Sequence, residues 1–264
     1  MAGSNSKTVL TTGVVQQAKL RLLKMHYASG VGHIGGNLSA LDSMLLVFHE
    51  FLNDDDRFIL SKGHSAGALY ISLWSLGLIS DAELASFHKD NTRLAGHPPS
   101  SGLPLVDFAT GSLGHGLSLA AGTALAMRLK GASHNVYCLT SDGEWQEGST
   151  WEALIFASHQ RLSNLTIMVD QNGLQGFGST ADVASMSSLM HKIEGFDIEV
   201  QNVNGHDLAE LRKSLSSPRV RPLVVIMSTV KGNGVSFMEG QMEWHYRPLT
   251  SSLFEQAIQE VESA

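Results

Sequence analysis

The chain has 264 residues, 43% hydrophobic and 16% charged, with a formal net charge of −7. This composition describes a globular protein able to bury a large core, excludes a disordered chain, and offers no basic face for nucleic acid. A polar segment from Met1 to Thr8, a single cysteine (Cys138) and no run of 18 apolar residues exclude a signal peptide, a disulfide framework and a membrane span, leaving a cytoplasmic protein as the expectation.

Taken in chain order, apolar residues at three-to-four spacing predict a helix from Val14 to Ala28, stopped by Ser29-Gly30. A glycine loop through Gly36 follows, and Asn37 or Ser39 caps a second helix, Ala40 to Phe51. Arg57 to Leu60 reads as a strand, Ser61-Lys62-Gly63-His64 as its exit loop, and Ser65 to Leu76 as a helix of small residues. From Gly111 the alternation is regular. A glycine-rich turn, Gly111 to Gly116, opens a helix to about Lys130; strand Asn135–Thr140, helix Thr150–Gln160 and strand Leu165–Val169 come next. Strand 197–201, helix Asp207–Leu215, strand Pro222–Ser228 and an amphipathic helix Ser251–Val261 complete the chain. Strands alternating with helices predict an α/β fold with a doubly wound, mostly parallel sheet and helices on both faces. No repeat, low-complexity tract or long linker divides it, so residues 1–264 read as one domain.

Two strand ends stand out. Ser141-Asp142-Gly143-Glu144 closes one apolar run, and Asp170-Gln171-Asn172 closes the next, with Asp142 and Asn172 thirty positions apart. A strand–helix–strand unit takes roughly 30 residues, so both side chains fall at the carboxyl edge of the sheet, where open α/β folds bind ligands. Either turn alone would be an ordinary acidic loop. Together, a carboxylate and an amide oxygen suit a hard cation that keeps positions free for phosphate.

Four histidines sit in glycine-rich or aromatic loops: His33, His64, His97 and His245. One such histidine is usually a surface or capping residue; four suit proton shuttling and hydrogen bonds to hydroxyl-rich substrates. No histidine or cysteine pair has zinc spacing. The turn at Gly111 precedes a helix N-terminus, which can bind phosphate, although it lacks the leading strand of a dinucleotide fingerprint. Lys231-Gly232-Asn233-Gly234, after the last strand, is equally a phosphate contact or a plain turn. His26, His49, His88, His159 and His191 lie in helical stretches and read as surface residues.

Together these residues resemble the thiamine diphosphate-binding half of transketolase. The family's Gly-Asp-Gly followed by an asparagine about 25–30 residues later appears here as Ser141-Asp142-Gly143 and Asn172. Gly32-His33, Ser61-Lys62-Gly63-His64, Gly96-His97-Pro98 and Gly111-Ser112-Leu113-Gly114 match in order, from about Val14 to Leu249. Ser141 replaces the usual first glycine, and His115 stands where glutamine is common.

The resemblance implies a thiamine diphosphate-binding fold, specifically its diphosphate-binding domain. It implies that Asp142, Asn172 and the Leu174 carbonyl hold Mg²⁺, with Ca²⁺ or Mn²⁺ as substitutes. His64, Gly111, Ser112, Leu113, Gly143, Glu144, Asn172 and His245 would contact the cofactor. His33, His64, His97 and His245 would act on substrate, and Glu147 would join a carboxylate network between two active sites. The pyrimidine-binding and C-terminal domains are absent and expected on a partner chain, in a heterotetramer with two copies of each. The implied reaction transfers a two-carbon ketol unit from a ketose or ketose phosphate to an aldehyde. The alternatives are one chain of a 2-oxoacid decarboxylase or dehydrogenase using the same cofactor, and a non-catalytic cofactor-binding partner.

Overall fold

A computed structural model describes residues 7–100 and 102–264, so most of the polar N-terminal segment lies outside the described residues. The helices are α1 (Thr12–Ser29), α2 (Ile34–Leu46), α3 (Ala66–Ser75), α4 (Asp81–Leu84), α5 (Gly116–Leu129), α6 (Gly148–His159), α7 (Thr180–Ala184), α8 (Leu189–Glu194), α9 (Leu208–Leu215) and α10 (Ser251–Glu262). The strands are β1 (Arg57–Leu60), β2 (Val136–Ser141), β3 (Leu165–Gln171), β4 (Leu174–Gln175), β5 (Gly178–Ser179), β6 (Glu199–Asn204) and β7 (Leu223–Ser228).

Five strands pair in the order β1-β2-β3-β7-β6, every pair parallel. Successive side chains of a strand point to opposite faces, so continuous apolar runs must be covered on both sides. Phe58, Leu60, Tyr137, Leu139, Met168, Val225 and Met227 enter one core, with Leu22, Leu38, Leu69, Leu211 and Ala257 from α1, α2, α3, α9 and α10. Ile59, Val136, Cys138, Ile167, Val169, Val224 and Ile226 enter the other, with Leu117, Leu154 and Ile193 from α5, α6 and α8. The fold is the doubly wound parallel sheet that the alternation predicts.

The C-terminal helix illustrates how one stripe seats an element. Thr250 caps α10, and its apolar stripe Phe254, Ala257, Ile258, Val261 packs toward α1. Tyr27 stacks on Phe254 at 4.2 Å, and Gln16 Nε2 donates to the Val261 carbonyl at 2.8 Å. No helix among the described residues is long and apolar enough to cross a membrane.

Three expectations need correction. Helix α2 starts at Ile34 rather than Ala40, so Gly35 and Gly36 form its first turn instead of a loop. Close packing explains it: a Cβ on Gly35 would lie 3.0 Å from Lys231 Cγ and 3.2 Å from the Trp244 carbonyl oxygen. His26 in α1 and His49 in the π-helical turn Val47–Phe51 that continues α2 are buried, at 2% and 6% exposure, because these segments are covered on more than one face. Strand β6 runs from Glu199 to Asn204, shifted along the expected 197–201. The β4–β5 hairpin and the short helices α4, α7 and α8 carry too few periodic residues to announce themselves.

Two glycines of α5 test how tightly the β1 exit is packed. A Cβ on Gly116 would fall 2.6 Å from Ser61 Cα, whereas one on Gly122 meets nothing within 4 Å. Gly116→Ala should lower stability by about 1–3 kcal/mol through overpacking. Gly122→Ala should raise it by about 0.5–1 kcal/mol through helix propensity. Urea titration of both variants checks the opposite signs.

Candidate active site at the carboxyl edge of the sheet

Strands β2 and β3 are adjacent and in register, with Ser141 opposite Asp170, so Asp142 and Asn172 emerge at the same edge. Asp142 is 4% exposed. Its Oδ1 accepts from the Gly143 N–H at 2.8 Å, and Oδ2 from the Gly173 N–H at 2.6 Å. Asn172 Oδ1 accepts from the Leu174 N–H at 3.1 Å. Burial, and then the negative charge of Asp170, push the Asp142 carboxyl up to about 6. A desolvated carboxylate that lacks its full counter-charge is chemically fit to receive a cation.

Two buried carboxylates brace this edge. Asp170, fully buried, accepts from Lys62 Nζ, from Ser39 Oγ at 2.6 Å and from Thr229 Oγ1. Burial alone would raise its pKa, but the Lys62 ammonium and the three donors hold it below the usual carboxylate range. Lys62 Nζ also donates to the Gly36 carbonyl at 3.1 Å. Glu144 accepts from Ser61 Oγ, from the Gly114 N–H at 2.7 Å and from the Ser141 N–H at 3.3 Å. It thereby ties the β1 exit and the glycine turn to β2. Burial raises its pKa despite those donors.

The four loop histidines converge beside this edge. His33 lies 5.7 Å from His64, 6.1 Å from His97 and 5.1 Å from His245, ring centroid to ring centroid. His33 has φ of 66°, a left-handed conformation rare for a side chain of this size, and its N–H donates to the His245 carbonyl at 2.9 Å. Burial is the main cause that lowers all four: His33 to about 4, His245 to about 3, His64 well below and His97 below the ordinary value. Near pH 7 they are neutral rings, each both a donor and an acceptor. The Lys231 amine, brought down to about 8 mainly by burial, sits 3.3 Å from His245 Nδ1.

A cleft of about 190 Å³ joins the Asp142 edge to two of these histidines, lined by Gly36, Lys62, His64, Leu113, Asp142, Gly143, Asn172, Leu174, Lys231 and His245, with Gln175 and Tyr246; His33 and His97 line an adjoining chamber of about 80 Å³ that shares His64. Larger depressions exist, of about 550 Å³ beside Gly111, Ser112 and His115 and about 830 Å³ between α1 and α9. Converging titratable groups, rather than size, identify a site. Of the residues expected there, Leu113 reaches the cleft while Gly111 and Ser112 line the neighbouring depression. His97 packs against Gly111, with His97 Cδ2 3.1 Å from where a Cβ would sit. The Glu144 carboxylate is turned inward to its three donors, and Glu147 is exposed at the start of α6, outside the cleft lining. No three His, Cys, Asp or Glu side chains among the described residues gather as a metal group. A cation here would rest on one carboxylate and neutral oxygens.

Sequence reasoning missed Lys62 as a site residue, Asp170 as a buried strand residue and Gln175 altogether. A charge at the end of an otherwise apolar run, as at Asp170, is the signal that could have exposed the first two. Buried charges need partners, and Lys62 follows β1, two strands away in the sheet.

Residues 15–261 match the family described as transketolase, thiamine diphosphate binding domain. The chain belongs to this family, and so is a thiamine diphosphate-binding chain of transketolase type, a transferase. It is 37% identical over 254 residues to one of the subunits of the apulose-4-phosphate transketolase of Actinobacillus succinogenes, covering 92% of each chain. It is 33% identical to a 6-deoxy-6-sulfo-D-fructose transketolase subunit of a Clostridium species, covering 88% of this chain and 89% of that one. Against transketolase of Homo sapiens it is 37% identical, over 89% of this chain but only 39% of the other. The transketolase structure from Campylobacter jejuni superposes with a TM-score of 0.87 at 29% identity, covering 96% of this chain and 43% of that one. The expected fold family and the expected N-terminal transketolase part are both borne out.

The buried pair should be fragile when halved. Asp170→Asn leaves the Lys62 ammonium unpaired and should cost about 3–5 kcal/mol. The double variant Lys62→Met with Asp170→Leu should recover most of that loss. Chemical denaturation of the single and double variants checks both expectations.

Proposed function

We propose that this chain is the diphosphate-anchoring half of a two-chain transketolase. It would move a two-carbon ketol unit from a ketose or ketose phosphate to an aldehyde, together with a C-terminal subunit that supplies the pyrimidine-binding half. The observation that carries the reading is the convergence at the sheet edge of Asp142, Asn172, His64 and His245 around one cleft, with His33 and His97 in an adjoining chamber that shares His64.

The Asp142 carboxylate, the Asn172 amide oxygen and the Leu174 carbonyl are assigned to a divalent cation, Mg²⁺ by preference, with Ca²⁺ or Mn²⁺ as substitutes. Mg²⁺ is commonly held by one or two carboxylates with phosphate oxygens completing its shell, which suits a site with one carboxylate. Gly143, with Lys62 and Lys231 across the cleft, would receive the diphosphate; a Cβ on Gly143 would already lie 3.0 Å from Gln175 Oε1. The bound cofactor supplies the electron sink that ketol transfer requires. The protein's part is to orient and to handle protons. Lys231 Nζ beside His245 Nδ1 favours the tautomer with the proton on Nε2, leaving that N–H for a substrate oxygen. His33, His64 and His97 offer neutral donors and acceptors to hydroxyl groups, the array a polyhydroxylated substrate needs.

The cleft's small volume supports a shared site, because complete small-molecule pockets run to roughly 300–1,000 Å³. Phe177 and Tyr246, 86% and 57% exposed at its rim, are apolar surface suited to a partner chain. Exposed Glu147, beside Gly114, is assigned to a carboxylate network between the two active sites of the assembly. The names of both short relatives imply a second chain, and we favour a heterotetramer with two of each in the cytoplasm. The substrates in those names are ketoses with an anionic end, and we propose the same class here. The chain itself is read as one diphosphate-binding domain.

Three measurements test this. Asp142→Ala should abolish cofactor binding by calorimetry in the presence of Mg²⁺ and partner; retained tight binding sinks the cation assignment. His97→Ala and His245→Ala should each lower ketol transfer by about 10²-fold or more, with cofactor affinity nearly unchanged for His97→Ala. The chain alone, saturated with cofactor and Mg²⁺, should not turn over a ketose donor, and normal turnover would overturn the two-chain reading.

A further inference from the structure

Behind His33 lies a buried histidine that none of the roles above employs. His26 sits in the last turn of α1 and is 2% exposed. Neither ring nitrogen has a hydrogen-bond partner of normal geometry among the described residues. A neutral imidazole owns one donor and one acceptor, and leaving a buried group unmet costs about 1–3 kcal/mol. The ring borders a chamber of about 80 Å³ shared with Gly32, His33, His64, Gly67 and His97. Water takes roughly 30 Å³ in bulk, and polar chambers offering two to four partners are where buried water settles.

The surrounding packing shapes this chamber. Gly67 lets α3 approach the ring, since a Cβ there would lie 2.5 Å from His26 Nε2 and 2.9 Å from Asn37 Oδ1. Phe87 packs on the ring with centroids 5.4 Å apart. Asn37 sets the far wall, donating through Nδ2 to the carbonyls of His33 at 2.8 Å and His64 at 3.2 Å. Burial brings His26 down to about 4 against the opposing pull of the Val31 and Gly32 backbone, so the ring is neutral near pH 7.

We infer that His26 is a positioning residue: through water in this chamber it sets the tautomer and ring orientation of His33. The Val31–Gly32 backbone beside it leads directly into His33, so the same histidine braces the loop and orders the water behind it. The catalytic consequence of this inference rests on the histidine-channel reading proposed above; the structural part does not.

The test uses the full chain with ¹⁵N-labelled histidine for ring resonances, and the assembled two-chain enzyme for kinetics. His26→Phe should shift the His33 ring nitrogens toward a different tautomer mixture and lower kcat about tenfold, with KM and cofactor affinity nearly unchanged. His26→Gln, which keeps a donor and an acceptor, should restore the His33 signature and most of kcat. A His33 signature unaltered in folded His26→Phe overturns the inference. Should that variant fail to fold, the wild type decides: a crystal structure must show water within about 3.2 Å of a His26 ring nitrogen and bridged to His33. A dry chamber overturns it. If the His33 signature responds but His33→Ala leaves ketol transfer intact, the positioning stands and the channel reading falls.

Discussion

Asp170 sits completely buried at the end of the middle strand, and an ionised carboxylate can stay there only if other groups come to it. Those that come belong to three separate segments: Lys62 from the β1 exit, Ser39 from α2 and Thr229 from the β7 exit. Meeting one charge therefore sets where two loops and a helix stand relative to the sheet edge. The same residue's carbonyl accepts the Asp142 N–H at 3.1 Å, so the proposed cation ligand is carried by the same knot. An alternative loop arrangement would strand a buried charge, at a cost of several kcal/mol.

Glu144 repeats the device one strand over, joining the β1 exit and the glycine turn. Between the two knots, Asp142 is desolvated without being clamped by a cation of its own. Beyond it the histidines are crowded by one another and by two lysines, and desolvation keeps them uncharged. The edge thus divides into an ionic half suited to phosphate and metal and a neutral half suited to hydroxyls. That division follows from how many charges each half has to satisfy.

Much of this was legible in the residues. Apolar runs of strand length and alternating helices fixed the fold class, and the Asp142–Asn172 spacing placed both side chains at one edge, because parallel crossovers allow little else. The loop histidines were legible as a group. What could not be read were contacts between segments far apart in the chain. Asp170 looked like the first residue of a loop, since nothing local announces that Lys62 lies across from it, 108 positions earlier. His26 and His49 looked solvent-facing because periodicity reports one helix's own stripe and is blind to a second layer packed on the other side. The start of α2 was misplaced for a related reason: glycines argue for a loop locally, but Gly35 and Gly36 are there to let other segments come close.

His33 closes the circle between backbone and chemistry. Its left-handed φ of 66° throws the ring out of the helix it precedes and toward the other three histidines. For most residues with a Cβ that conformation stores about 1–2 kcal/mol. The fold would rather have glycine at this position, and the proposed reaction needs an imidazole. Random substitution under pressure for thermal endurance alone would drift toward His33→Gly, relieving the strain as it lost the ring. On the proposed role, keeping histidine there is a standing compromise in which the molecule is held short of its most stable form by the reaction it would serve.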